Sequence, residues 1–181
     1  MSPQSETGES EPISKRPEEI VRDWWRECIA AGAAPAGPRA ELRRARTLDE
    51  VVFVPLFHDL RRRLAWTTWT RVDRLALVAG ILSRVAADDV SVAFPSQMTK
   101  PRPGSASPRV APARFRRLLR IGDEPGDATH LFELMRRVIS LLDGNANVAD
   151  LAISLYWWNA RTRRNWALAY YEKVNERPAG Q

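Results

Sequence analysis

Five prolines fall within the 23 residues VSVAFPSQMTKPRPGSASPRVAP, between Val90 and Pro112. Proline has no amide hydrogen and its ring clashes with the preceding turn, so no continuous helix crosses this stretch. On both sides of it, apolar residues recur at helical spacing, and no segment alternates apolar and polar residues over the length of a strand. A loop of this length exceeds most connections within a compact domain. The chain is therefore expected to be all-α, as two small helical bundles joined by a Pro-rich basic linker. The bundles are placed at 17–89 and 113–175, with the linker at 90–112. A Ser-, Glu- and Pro-rich acidic stretch at 1–16 reads as a disordered tail, and 176–181 as a second tail.

In the first half, Pro17-Glu18-Glu19 is a helix start, with proline in the first turn and carboxylates against the positive end of the dipole. That helix should stop at Gly32. Gly37-Pro38 opens a short helix, PRAELRRAR. Thr47 and Glu50 have capping-box spacing ahead of LDEVVFVPLFHDLRRRLA, which should break or kink near Pro55. A fourth helix is expected over about 67–87. In the second half, ARFRRLLRI sets Phe115, Leu118 and Leu119 opposite Arg114, Arg116, Arg117 and Arg120. LFELMRRVISLL carries an apolar face and should end at Gly144. Residues from about Val148 to Val174 form two helices or one bent helix, with the break near Asn159.

Catalytic patterns are missing from the sequence. His58 and His130 stand outside any metal-ligand spacing, and no Gly-rich phosphate loop or G-x-S-x-G is present. Cys28 is the single cysteine, with no base beside it on an apolar helix face, so it reads as buried and inert. Asp88-Asp89 reads as a solvated helix end. No enzyme activity, cofactor or metal is expected. No apolar run spans a bilayer and the N-terminus has no hydrophobic targeting segment, so a cytoplasmic location without membrane contact is the expectation.

Charge points elsewhere. Residues 1–20 carry two basic and five acidic side chains, whereas the remainder carries 26 basic and 17 acidic ones. A body this basic should be drawn to polyanions. From Ser91 to Gly122 there is no acidic residue, while Lys100, Arg102, Arg109, Arg114, Arg116, Arg117 and Arg120 are all basic. Arg43, Arg44 and Arg46 form a second cluster, Arg61, Arg62 and Arg63 a third, and Arg161, Arg163 and Arg164 a fourth. The candidate nucleic-acid-binding set comprises the first, second and fourth of these. Arginine without nearby Asn or Gln favours phosphate over base-edge contact, and no helix-turn-helix or zinc-finger pattern is visible. The stretch LYWWNARTRRNWALAYY, residues 155–171, adds three tryptophans and three tyrosines. Trp158, Trp166, Ala169 and Tyr170 are expected inside and the three arginines outside. Trp157 is expected in the core or at a subunit interface, with stacking on a base as the alternative.

RVAPARFRRLLR, then LFELMRRVISLL, then LYWWNARTRRNWALAYY resemble the CasB family, the small subunit of the type I-E CRISPR surveillance complex Cascade. The correspondence lies in Arg114-Phe115 with Leu118-Leu119, in Leu131 to Leu142, in Trp157-Trp158, and in Trp166-Ala167 with Tyr170-Tyr171. RAELRRA, with Arg43 and Arg44, resembles the family's helix with paired arginines. A glycine-containing S-x-G-x-x-L segment common in the family has no counterpart in SVAFPSQMTKPRPGSASP. The resemblance implies a subunit of CRISPR antiviral defence that does no chemistry. It would be present as two copies beside the guide RNA and other Cascade subunits. Non-specific backbone contacts would hold displaced single-stranded or double-stranded DNA and stabilise the R-loop. Two further readings stay open at this point: a purely structural helical subunit, and an unrelated helical DNA-binding regulator.

Overall fold

Residues 15–33, 36–124 and 126–175 are described by the structure, a computed structural model. The tails expected at 1–16 and 176–181 lie outside the described residues, except for Lys15 and Arg16. The first half folds as α1 (Pro17–Cys28), α2 (Ala36–Arg44), α3 (Leu48–Val52), α4 (Pro55–Arg63) and α5 (Val72–Leu82). The second half supplies α6 (Phe94–Gln97), α7 (Pro112–Leu119), α8 (Asp127–Leu141), α9 (Val148–Tyr156) and α10 (Ala160–Asn175). The fold is helical, as the periodicity predicts.

Local chemistry sets the helix boundaries. Pro17 opens α1, and the Glu19 carboxylate accepts the Arg16 backbone N–H at 3.1 Å. The Thr47 hydroxyl accepts the Glu50 N–H at 3.2 Å, while the Glu50 carboxylate reaches past Thr47 to the Arg46 N–H at 2.7 Å. The expected break at Pro55 is a full separation of α3 from α4. The helix expected over 67–87 is shorter. The Thr67 hydroxyl donates to the Leu64 carbonyl and accepts the Trp69 N–H, holding the chain in a turn until Val72.

Beyond Asp73 and Arg74, helix α5, VDRLALVAGIL, is apolar on every side, and every residue from Arg74 to Leu82 is buried. A helix of that kind belongs at the centre. It lies against α3, α4, α8 and α9, so both halves of the chain pack on it, and α1 of the first half lies on α9 of the second. A single hydrophobic cluster runs from Val21 to Tyr170 through both.

Residues 90–112 are folded onto this body. Phe94 to Thr99 are buried. The Phe94 N–H donates to Asp150 at 2.6 Å, and the Gln97 side chain bridges the Asp89 carbonyl and the Asn147 N–H. The Tyr170 hydroxyl donates to the Val110 carbonyl at 2.6 Å. Only the tip of the segment, 101–107, is exposed throughout. Two strands, β1 (Ala87–Asp88) and β2 (Asn145–Ala146), pair in parallel and fasten the end of α5 to the turn after α8. Two residues are too few to show an alternating pattern, so the sequence carried no sign of them. Asp88, expected on a solvated helix end, is instead a tie between helices: it accepts Arg22 of α1 at 2.6 Å and the Val148 N–H of α9 at 3.1 Å.

Candidate nucleic-acid interface

An open groove of about 1300 Å³ lies between α2, the end of α5, α7 and α8. Six arginines line it: Arg43, Arg84, Arg114, Arg117, Arg136 and Arg137. Among the described residues none of the six forms an ion pair, whereas Arg22, Arg62 and Arg63 are each bound to a carboxylate. Of the two acidic residues in the wall, Asp143 is bound by Arg109, and Glu133 is exposed.

Phe132, buried in the core, backs two of these arginines. Its buried ring has the Arg84 guanidinium 5.4 Å from its centroid and the Arg136 guanidinium 5.5 Å from it. Both distances fall within the range of cation–π attraction. Arg84 also donates to the carbonyls of Gly80 and Ala45, the C-terminal ends of α5 and α2, where a cation is favoured. Burial, together with repulsion from Arg136 and Arg43, lowers the Arg84 pKa to about 10. Three positive charges are thus gathered with no ion pair among the described residues, and an anion placed among them would be stabilised by all three.

The thirteen candidate residues divide. Arg43, Arg114 and Arg117 meet in the groove, although they come from different halves of the sequence. Arg109 and Arg102 reach its edge: Arg109 pairs with Asp143, and Arg102 donates to the Leu141 carbonyl at 3.4 Å. Arg46 touches the edge by its backbone, its carbonyl accepting Arg136 at 3.5 Å. Lys100 is occupied elsewhere, pairing with Asp89 at 2.8 Å; that bond holds the Asp89 carboxyl well below the usual carboxylate range. Arg44, Arg116 and Arg120 are exposed outside the groove walls. Arg163 donates to the Ile121 carbonyl at 2.7 Å, whereas Arg161 and Arg164 are exposed on α10. The third cluster is largely neutralised, with Arg62 and Arg63 bound to Asp59 and Arg63 also to Glu27.

Three groove arginines, Arg84, Arg136 and Arg137, escape a reading by charge runs. Arg136 and Arg137 sit within LFELMRRVISLL, where the apolar periodicity dominates, and Arg84 follows the buried, largely apolar helix α5. A signal was available: the two adjacent arginines are the only basic residues of α8, one turn beyond Glu133.

The aromatic stretch resolves as mostly core. Trp158, Trp166 and Tyr170 are buried, and Ala169 is half-buried. Trp158 and Trp166 meet edge to face at 4.9 Å, and Tyr170 stacks on Phe115 at 3.9 Å. Trp157 departs from the expectation of core packing, with 46% of its surface exposed. It is the residue at which α9 ends, so its side chain is carried outward at the elbow. Among the described residues no three His, Cys, Asp or Glu side chains gather as a metal site, and no helix is long and apolar enough to cross a membrane.

Fold and groove together define an all-helical scaffold that presents a cationic channel between its two halves. The family model of the CRISPR-associated protein Cse2 matches residues 38–171, and the chain belongs to this family, also called CasB. The fold is similar to that of a chain in the crystal structure of E. coli Cascade bound to a PAM-containing dsDNA target. The two share 18% identity over 88% of this chain and 96% of that one, with a TM-score of 0.63. No curated protein matches the sequence.

Proposed function

We propose that this protein is the small subunit of a type I-E Cascade assembly, and that its arginine groove holds nucleic-acid backbone without reading sequence. The observation that carries the reading is the set of six groove arginines with no carboxylate partner among the described residues. Guanidinium forks match phosphate oxygens, and their charge releases counterions from the polymer on binding. Exchange of a DNA duplex for a guide–target heteroduplex is nearly balanced in energy, so backbone contacts of this kind can tip it. In this role the protein does no chemistry. It stabilises the R-loop and the displaced non-target strand, packing beside the guide RNA and the other subunits as two copies in the cytoplasm.

R-loop lifetime in an assembly reconstituted with Arg114→Glu/Arg117→Glu protein tests the proposal. A full complement of subunits with a shortened lifetime supports it. An unchanged lifetime, with assembly failing only when the chain is left out, would leave a purely structural subunit.

A further inference from the structure

Trp157 stands in the wall of a second cleft, of about 550 Å³, that shares no residue with the arginine groove. Its other walls include Ile153, Pro95 and Ala169, which are apolar, and Asp150, Arg161 and Asn165, which are polar. The indole is held in place. It meets Tyr156 edge to face at 4.9 Å, and its carbonyl accepts the Thr162 hydroxyl across the elbow between α9 and α10. Tyr156 in turn stacks on Trp69 at 4.3 Å with the rings parallel. A ring this well braced and still 46% exposed offers a flat apolar face to the cleft.

The polar groups are arranged by sign. Asp150 accepts the Phe94 N–H through Oδ2, while its Oδ1 has no partner among the described residues. Arg161 stands at the cleft, and Arg164, three residues along α10, is exposed on its outer surface; neither forms an ion pair with a described carboxylate. An acceptor thus faces an apolar slot, and the unpaired Arg161 stands beside it.

From this arrangement we infer that the cleft receives one unstacked, amino-bearing base of a single-stranded nucleic acid. The base lies against the Trp157 indole, its exocyclic amine faces Asp150, and its phosphate stays outside with Arg161. The sign pattern excludes the reverse orientation, because a phosphate inside would face the carboxylate. Stacking on an aromatic side chain combined with arginine at the backbone is a general way of holding single strands. The volume is in the range of sites for small ligands. The polymer is the one proposed for the groove, but the residues are separate, so the two readings fail separately.

The test uses the full chain and an oligo-dT strand carrying one 2-aminopurine, whose emission is quenched on stacking. With wild-type protein at saturation the emission should fall severalfold. Trp157→Ala should leave it bright while lowering overall affinity less than roughly tenfold, as loss of one stacked base would. Ala169→Leu, which fills the cleft and keeps the indole, should also leave it bright, and Trp157→Phe should restore part of the quench. Arg114→Glu/Arg117→Glu protein should bind more weakly yet still quench at saturation. Equal quenching by wild type and Trp157→Ala would overturn the inference. So would Trp157→Ala protein that quenches normally but no longer joins its companion subunits, which would make the cleft a protein interface.

Discussion

The Arg84 guanidinium rests 5.4 Å from the centre of the Phe132 ring, and the ring has room there because residue 80 is glycine. A Cβ at Gly80 would lie 2.7 Å from a Phe132 ring carbon and 2.9 Å from a Val51 methyl. Phe132, Arg84 and the Gly80 carbonyl are thus one unit, and the seat of the ring depends on a hydrogen atom in the central helix. Gly80→Ala should destabilise the protein by about 1–3 kcal/mol through overpacking, in spite of alanine's better helix propensity. Thermal denaturation measures the loss. If the variant is as stable as wild type, the seat is looser than described.

The Tyr170 hydroxyl is the tie between the last helix and the proline-rich segment, donating to the Val110 carbonyl within the core. Tyr170→Phe keeps the stacking on Phe115 and leaves that carbonyl without this donor. A loss of about 1–3 kcal/mol is expected in denaturant unfolding. Trp166→Ala, which empties the space beside Trp158 and Phe94, should cost about 3–5 kcal/mol.

How far the sequence determined these elements can be judged residue by residue. Helix starts marked by proline or by Thr47 were legible because capping is local chemistry. The all-α fold was legible because apolar spacing is periodic. Burial of Phe94 to Thr99 was not legible, since prolines announce where a helix is interrupted but not whether the interruption is packed. The groove was legible only in part. Arg114 and Arg117 stood out in an acid-free run, whereas Arg84 joins Arg43 and Arg136 only because α5 crosses between the two halves. Proximity made by tertiary packing leaves no mark on neighbouring positions of a sequence.

Asp150 should give a pH-dependent signature. Burial raises its pKa above the ordinary value for aspartate, outweighing the Phe94 N–H that it accepts. The folded state therefore binds its proton more tightly than the unfolded chain does, and this group's contribution to stability declines as pH rises from the unfolded to the folded pKa. Asp150→Asn, which keeps an acceptor for the Phe94 N–H, should compare more favourably with wild type at pH 7 than at pH 4. Melting temperatures of both proteins at the two pH values check the sign. A stability difference that does not vary with pH would show that burial leaves the carboxyl unperturbed.

Anions should stabilise the free protein through the groove. With Arg84 lowered to about 10 by burial and by two neighbouring guanidiniums, a polyanion that enters relieves the repulsion. By mass action, short single-stranded oligonucleotide at about 100 times its Kd should add roughly 2.7 kcal/mol to the stability. Arg136→Gln/Arg137→Gln protein should gain less at the same concentration, and an equal gain would place the anion elsewhere.

The most direct measurement is the salt dependence of binding to a mixed-sequence single strand. If each of the six groove arginines meets one phosphate, the slope of log K against log salt is roughly −4. The account predicts a slope of that order for wild type, indifferent to base order. For Arg114→Glu/Arg117→Glu/Arg136→Glu protein of unchanged helicity, it predicts a slope shallower by about 2. Equal slopes for the two proteins, or an affinity set by sequence rather than by salt, would contradict it.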